Sequence, residues 1–182
     1  MQTEFVILDF IQNLRTPLGD KMMLFFTRLG DLGLIWILLT LLLLMRKETR
    51  RTGMILALGL IIEAVICNLG LKPLVARTRP FEINPTVQLL VRMPVDYSFP
   101  SGHTAASFAA ASGLWFAGCR KPAVTALILS ALIAFSRLYL YVHFPTDVAA
   151  GLILGVLSGF AAAQIVKSLE KNKKQKHIKG DQ

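Results

Sequence analysis

The feature that most constrains this chain is a series of apolar runs long enough to cross a bilayer. A spanning helix needs roughly 20 apolar residues, with a range of about 17–25. Residues 52–71 form one such run, broken only by Glu63, and residues 148–166 form another with no charge at all. Residues 102–118 and 122–141 are two more, the latter with Arg137 near its end. Residues 32–45 are very apolar but short, so their helix is expected to start upstream near Met22. That extension holds Arg28 and Asp31, whose i,i+3 spacing lets them pair, and Gly30 and Gly33, which are expected to kink it. Residues 3–18 mix apolar side chains with Glu4, Asp9 and Arg15 and read as an interfacial amphipathic helix. The sequence thus predicts an all-α, polytopic transmembrane bundle of five to six spans with an N-terminal interfacial helix. Composition agrees, since the chain is 54% hydrophobic and 17% charged, where a soluble domain is ~45–50% and ~25%.

The charges set an orientation. Arg46, Lys47, Arg50 and Arg51 follow the first span, Arg120 and Lys121 follow the third, and Lys167, Lys171, Lys173, Lys174, Lys176 and Lys179 follow the fifth. In a five-span arrangement these segments share one side, which the positive-inside rule makes cytoplasmic. The expected organisation is a membrane-embedded body over residues 1–167 and a basic, disordered cytoplasmic tail over 168–182, close to anionic membrane lipid. The net charge of +9 does not point to nucleic acid, because the bases form short clusters between apolar runs, not one stripe. The N-terminus, with Glu4 and Asp9, lacks the basic start and apolar core of a signal peptide. Cys67 and Cys119 show neither a disulfide framework nor zinc-ligand spacing and read as small buried residues.

On the opposite side lie the long segment 72–101 and the short turn 142–147. The long segment carries five prolines and several bases, and its length marks it as site-building. Three clusters meet on this face. Lys72, Arg79 and Arg137 are cations at helix ends, suited to oxyanion binding. Ser101 is placed to cap the next helix, whose first amides, near Gly102 and His103, point at an incoming anion. Gly102 permits close backbone approach. Together these residues form a phosphate cradle. Asp147 follows His143 by four residues, and Pro145 favours a turn that lets the carboxylate hold one ring nitrogen and present the other. An imidazole held in this way is a nucleophile for phosphorus, and His103 can protonate a leaving oxygen. A metal site on His143 and Asp147 is disfavoured, because the cations would crowd a further positive charge and the face offers few carboxylates: Glu82, Asp96 and Asp147. No metal or cofactor is expected. Arg77 and Arg92 read as snorkelling bases, Glu63 as structurally paired or protonated, His177 as structural, and Tyr97, Tyr139, Tyr141 and Trp115 as interface aromatics.

At these residues the chain resembles the type 2 phosphatidic acid phosphatase family. Its first motif, Lys, six residues, Arg-Pro, appears as Lys72 to Arg79-Pro80. Its second, Pro-Ser-Gly-His, is Pro100-Ser101-Gly102-His103. Its third, Ser-Arg, five residues, His, three residues, Asp, is Ser136-Arg137, His143 and Asp147. The resemblance implies metal-independent dephosphorylation through a phosphohistidine on His143, oriented by Asp147, with His103 as leaving-group acid and Lys72, Arg79, Ser101, Gly102 and Arg137 binding phosphate. Vanadium haloperoxidases share the motifs but are soluble, which the apolar spans argue against. Undecaprenyl diphosphate phosphatases of the bacitracin-resistance type often carry Asp where this chain has Gly102. The expected partner is a lipid phosphate, with undecaprenyl diphosphate favoured and cleaved to the monophosphate at the extracytoplasmic face of a bacterial-type membrane. Phosphatidic acid, phosphatidylglycerol phosphate, phosphoryl transfer to another acceptor, and a non-catalytic lipid-binding role are the alternatives. The sequence leaves the oligomeric state open.

Overall fold

The computed structural model describes residues 2–180, without the side chains of 173, 174 and 176–180. Among the described residues the chain is helical, with no strand. It opens with α1 (Gln2–Asn13) and α2 (Pro17–Leu29). The expected helix over residues 3–18 therefore ends early, and α2 starts before Met22. The cause is local: Thr16 caps α2 by accepting a 3.1 Å hydrogen bond from the Gly19 amide, and Pro17 occupies its first turn. A 3₁₀ turn (Asp31–Gly33) then leads into α3 (Leu34–Met45). Leu32 and Gly33 adopt φ of 53° and 66°, and the two halves meet at 43°. The kink expected from Gly30 and Gly33 is thus a full break of the helix. The break falls beyond Asp31, at Leu32, and Arg28 still acts electrostatically on Asp31.

Next comes α4 (Arg50–Ala64), followed by a π turn (Val65–Leu71), α5 (Lys72–Val75) and α6 (Pro80–Ile83). Wider π winding shifts the register as the helix approaches the site, and the Lys72 amide donates to the Cys67 carbonyl, five residues back. After the loop 84–101 come α7 (Gly102–Phe116), α8 (Arg120–Tyr139) and α9 (Pro145–Gly180). Among the described residues, three helical units are long and apolar enough to cross a membrane: Arg50–Ile83, Arg120–Tyr139 and Pro145–Asn172. The bent pair of α2 and α3 counts as a fourth if it is taken as one span. The basic segment from residue 168 continues α9 to Gly180, and residues 181 and 182 lie outside the described residues.

The 15-residue α7 rises only about 22 Å. It is the central helix, and every residue from Thr104 to Leu114 is buried. Its companion is α9, and small residues set their spacing. A Cβ on Gly151, Gly155 or Gly159 would lie 2.6 Å from the Ser101 carbonyl oxygen, 2.4 Å from that of Ala105 and 2.1 Å from Ser112 Oγ, respectively. The four-residue repeat puts all three glycines on one face and lets the backbones touch. Buried hydroxyls join the same seam: Ser112 donates to the Gly155 carbonyl at 3.3 Å, and Trp36 Nε1 to Ser107 Oγ at 2.9 Å. Outward side chains such as Leu38, Leu42, Ile61, Ile128, Ile153 and Leu157 are exposed and apolar. Such a surface suits hydrocarbon and would be unfavourable in water.

Candidate active site

The seam between α7 and α9 fixes the site. It lays the start of α9 beside the start of α7, and the Ser101 amide donates to the Asp147 carbonyl at 3.0 Å. Asp147 stands in the first turn of α9, where a carboxylate complements the helix dipole. Its Oδ2 accepts from the Phe144 amide at 2.8 Å and from Ser98 Oγ at 2.5 Å, and its Oδ1 from Arg77 Nη1 at 2.5 Å. The fully buried carboxylate is thus clamped from three sides.

His143 lies beside it, with Nδ1 3.6 Å from Asp147 Oδ2, too long for a hydrogen bond. The other ring nitrogen, Nε2, is 3.2 Å from Arg79 Nη1. Arginine has no lone pair to offer, so Nε2 accepts and the ring proton sits on Nδ1, facing Asp147. Burial drives the His143 pKa down to about 3, aided by the nearby cations Arg79 and Arg137, although Asp147 pulls the other way.

Arg79 joins this ring to an anion seat. Its Nη1 also donates to the Val142 carbonyl at 2.7 Å, Nε to the Asp96 carbonyl at 2.8 Å, and Nη2 to Asp96 Oδ1 at 2.7 Å. Lys72 Nζ pairs with the other Asp96 oxygen. Burial alone would raise the Asp96 pKa, but the hydrogen bond from Lys72 and the charges of Lys72 and Arg79 bring it to about 2. The protein's own carboxylate therefore occupies a two-cation seat beside Nε2. Gly102 faces that seat, since a Cβ there would be 3.8 Å from Lys72 Nζ. Arg137 is buried, donates to Thr27 Oγ1, and its Nε has no hydrogen-bond partner among the described residues. His103, in the first turn of α7, places Nε2 3.0 Å from Asp31 Oδ1. Among the described residues, no group of three or more His, Cys, Asp or Glu side chains is arranged to hold a metal ion.

Residues 52–171 match the PAP2 superfamily. The chain belongs to that superfamily. An undecaprenyl-diphosphatase of Sulfolobus acidocaldarius is 36% identical over 80% of this chain and 70% of its own length. Two solved structures share the architecture. The transmembrane PAP2-type phosphatidylglycerolphosphate phosphatase of Bacillus subtilis superposes with a TM-score of 0.72 at 25% identity, over 94% of this chain and 86% of that one. LpxE of Aquifex aeolicus gives 0.74 at 29% identity, over 88% and 94%. With its spanning helices, this PAP2 phosphatase is an integral membrane protein.

The structure gathers the sequence-derived residues in one region, with one local difference. Lys72, Arg79, Gly102, His143 and Asp147 come together directly. Ser101 stands at the N-cap of α7, but its hydroxyl accepts from Thr104 Oγ1 at 3.0 Å and does not cap the helix. Sequence reasoning missed Arg77, Ser98, Asp96 and Asp31. Arg77, read as a snorkelling base, instead anchors Asp147 and joins it to α1 through Glu4 Oε2 at 2.7 Å. Its position two residues before Arg79 was the available signal. Tyr139 and Tyr141, read as interface aromatics, are buried and bond Asp20 and Asp9.

Proposed function

We propose that this PAP2 phosphatase hydrolyses a membrane lipid phosphate through a phosphohistidine on His143, with no metal or cofactor. The observation that carries this reading is the Arg79 guanidinium, which touches both His143 Nε2 and the carboxylate in the anion seat. A phosphate that displaces Asp96 from that seat has its phosphorus within reach of Nε2. Lys72, Arg79 and Arg137 then neutralise its oxygens, and the first amides of α7, after Ser101 and at Gly102, add donors. Nε2 forms a bond to phosphorus while the bond to the leaving oxygen breaks and His103 gives that oxygen a proton. Asp147 stabilises the Nδ1–H of the ring as positive charge develops. Water then attacks phosphorus, its proton passes to His103, and the P–N electron pair returns to Nε2.

The favoured substrate is undecaprenyl diphosphate, cleaved to undecaprenyl phosphate and inorganic phosphate, and the name of the Sulfolobus relative supports it. Phosphatidylglycerol phosphate is the second reading, supported by the Bacillus subtilis neighbour. In the proposed arrangement α7 is a fifth crossing completed by its flanking segments. α1 lies at the interface over the site, residues 1–167 form the membrane-embedded body, and the basic stretch 168–182 faces the cytoplasm. The site then opens on the extracytoplasmic side.

The test is a rapid acid-free quench with substrate labelled on the transferred phosphoryl group. Wild type should show an acid-labile, alkali-stable phosphoenzyme, undiminished by chelator. His143→Ala should lose both the phosphoenzyme and nearly all turnover while still inserting in the membrane. Ordinary turnover by His143→Ala, or complete loss with chelator that magnesium restores, would refute the mechanism.

A further inference from the structure

Asp31 lies outside the three motifs, yet the turn that carries it is built around His103. A Cβ on Gly30 would come 2.9 Å from His103 Cδ2 and 2.8 Å from Ile133 Cγ2, so the ring lies against this turn only because residue 30 is glycine. The left-handed Leu32 and Gly33 lie in the turn that Asp31 opens after α2, and they turn α3 away. Trp36, at the start of α3, is tied to Ser107, one helical turn beyond His103. The break in this apolar unit therefore places a carboxylate oxygen 3.0 Å from His103 Nε2. A carboxylate within such a unit is costly unless it serves a charged partner.

We propose that Asp31 is a positioning residue for His103, the two forming a second His–Asp pair that complements His143 and Asp147. This inference rests on the phosphatase reading above. Asp31 accepts the Nε2–H and keeps that proton in its hydrogen bond throughout, which leaves Nδ1 to do the exchange. As the phosphorus–oxygen bond breaks and its electron pair goes to the leaving oxygen, the Nδ1 proton moves to that oxygen. When water attacks the phosphohistidine, Nδ1 takes the water's proton. The other charges acting on this ring are the cations Arg137 of α8 and Lys72 of α5, and Arg28 of α2 acts on Asp31. Asp31 is the counter-charge that an imidazolium facing those cations requires.

The demand for an acid depends on the leaving group, and that separates a positioning role from a structural one. Full-length wild type, Asp31→Asn, Asp31→Glu, His103→Ala and the Asp31→Asn/His103→Ala double variant are compared in detergent. The substrates are a short-chain phosphatidic acid, whose leaving alkoxide is strongly basic, and p-nitrophenyl phosphate, whose leaving phenolate is weakly basic. Asp31→Asn should lower kcat for phosphatidic acid about tenfold or more and leave p-nitrophenyl phosphate nearly unchanged. Asp31→Glu should recover part of the loss. The double variant should be no worse than His103→Ala alone. Equal losses on both substrates, no loss on either, or a further loss on top of His103→Ala would each overturn the assignment. Wild type that hydrolyses both esters without a phosphoenzyme would remove the phosphohistidine and leave the Asp31 comparison standing. Wild type that hydrolyses neither ester would overturn the Asp31 assignment, and wild type that also fails on undecaprenyl diphosphate would remove the phosphatase reading with it.

Discussion

In the proposed mechanism His143 acts as a nucleophile only when its ring is neutral, and its surroundings keep it so. With burial holding its pKa at about 3, the ring stays unprotonated well below the ~6.5 of a free imidazole. Two limbs of the pH profile follow. Falling pH protonates His143 and removes the nucleophile, but only far into the acid range. Rising pH removes the proton from His103 and so removes the leaving-group acid. The profile of kcat/KM for a monoester should therefore be a bell with its acid limb clearly below pH ~6.5, the value for a solvated His. An acid limb at that solvated value would mean that His143 is not buried in the working enzyme. At Asp147 the three donors from Arg77, Ser98 and Phe144 all require acceptor oxygens. Asp147→Asn presents an NH₂ to one of them and loses the charge that balances Arg77. Its kcat should fall by roughly 10² or more, the scale on which a general acid–base ring depends on its correct tautomer, with the protein still folded by thermal unfolding in detergent. The motif residues were legible because each pairs a chemically telling side chain with a fixed spacing. Arg77, Ser98 and Asp96 were not, because their meaning lies in partners 70, 49 and 24 residues away, and a lone base beside an apolar run looks like a snorkelling one.

At the scale of elements, the site exists because α7 and α9 touch backbone to backbone. Gly155 is the tightest point against main chain, since a Cβ there would be 2.4 Å from the Ala105 carbonyl oxygen, an atom that cannot rotate away. Gly155→Leu should push the helices apart and carry Asp147 away from Ser98 and Ser101. The expected cost is about 3 kcal/mol or more, the upper range for overpacking a close contact, read as a drop in thermal midpoint in detergent with activity lost in parallel. Ile153→Ala, on the exposed side of the same helix, should change neither appreciably. An unaltered midpoint for Gly155→Leu would show that the two helices do not meet there. The sequence displayed the long apolar units plainly and misplaced one boundary. Counting apolar residues assumes that a helix faces lipid, and the enclosed, alanine-rich α7 is only 15 residues long, so its crossing rests on the proposal that its flanking segments complete it. Amphipathic patterning ran through Thr16-Pro17, a helix-start signature, and so joined the end of α1 to the start of α2.

At the scale of the molecule, side and substrate are linked. If the basic segments after α3 and α7 and at the end of α9 are cytoplasmic, the loop 84–101 and the anion seat face outward. Single cysteines near Glu82 and near Gln175, in a background lacking the native two, should then be labelled by an impermeant reagent in intact cells at the first position only. Labelling at the second alone would reverse the topology. An outward site meets the lipid carriers left after export of envelope precursors, and among these a polyprenyl diphosphate fits the charge of the seat. Once Asp96 is displaced, Lys72, Arg79 and Arg137 face the ligand, and a diphosphate brings more negative charge to them than a monoester does. The chemistry is also easier, because a leaving group that is itself a phosphate needs little protonation. His103→Ala should therefore impair undecaprenyl diphosphate less than it impairs a glycerolipid monoester. The decisive comparison is kcat/KM for undecaprenyl diphosphate, phosphatidic acid and phosphatidylglycerol phosphate in one detergent. The expected order puts the diphosphate first. A preference of more than tenfold for either glycerolipid, about 1.4 kcal/mol of transition-state binding, would transfer the assignment to that lipid and leave the phosphohistidine chemistry intact.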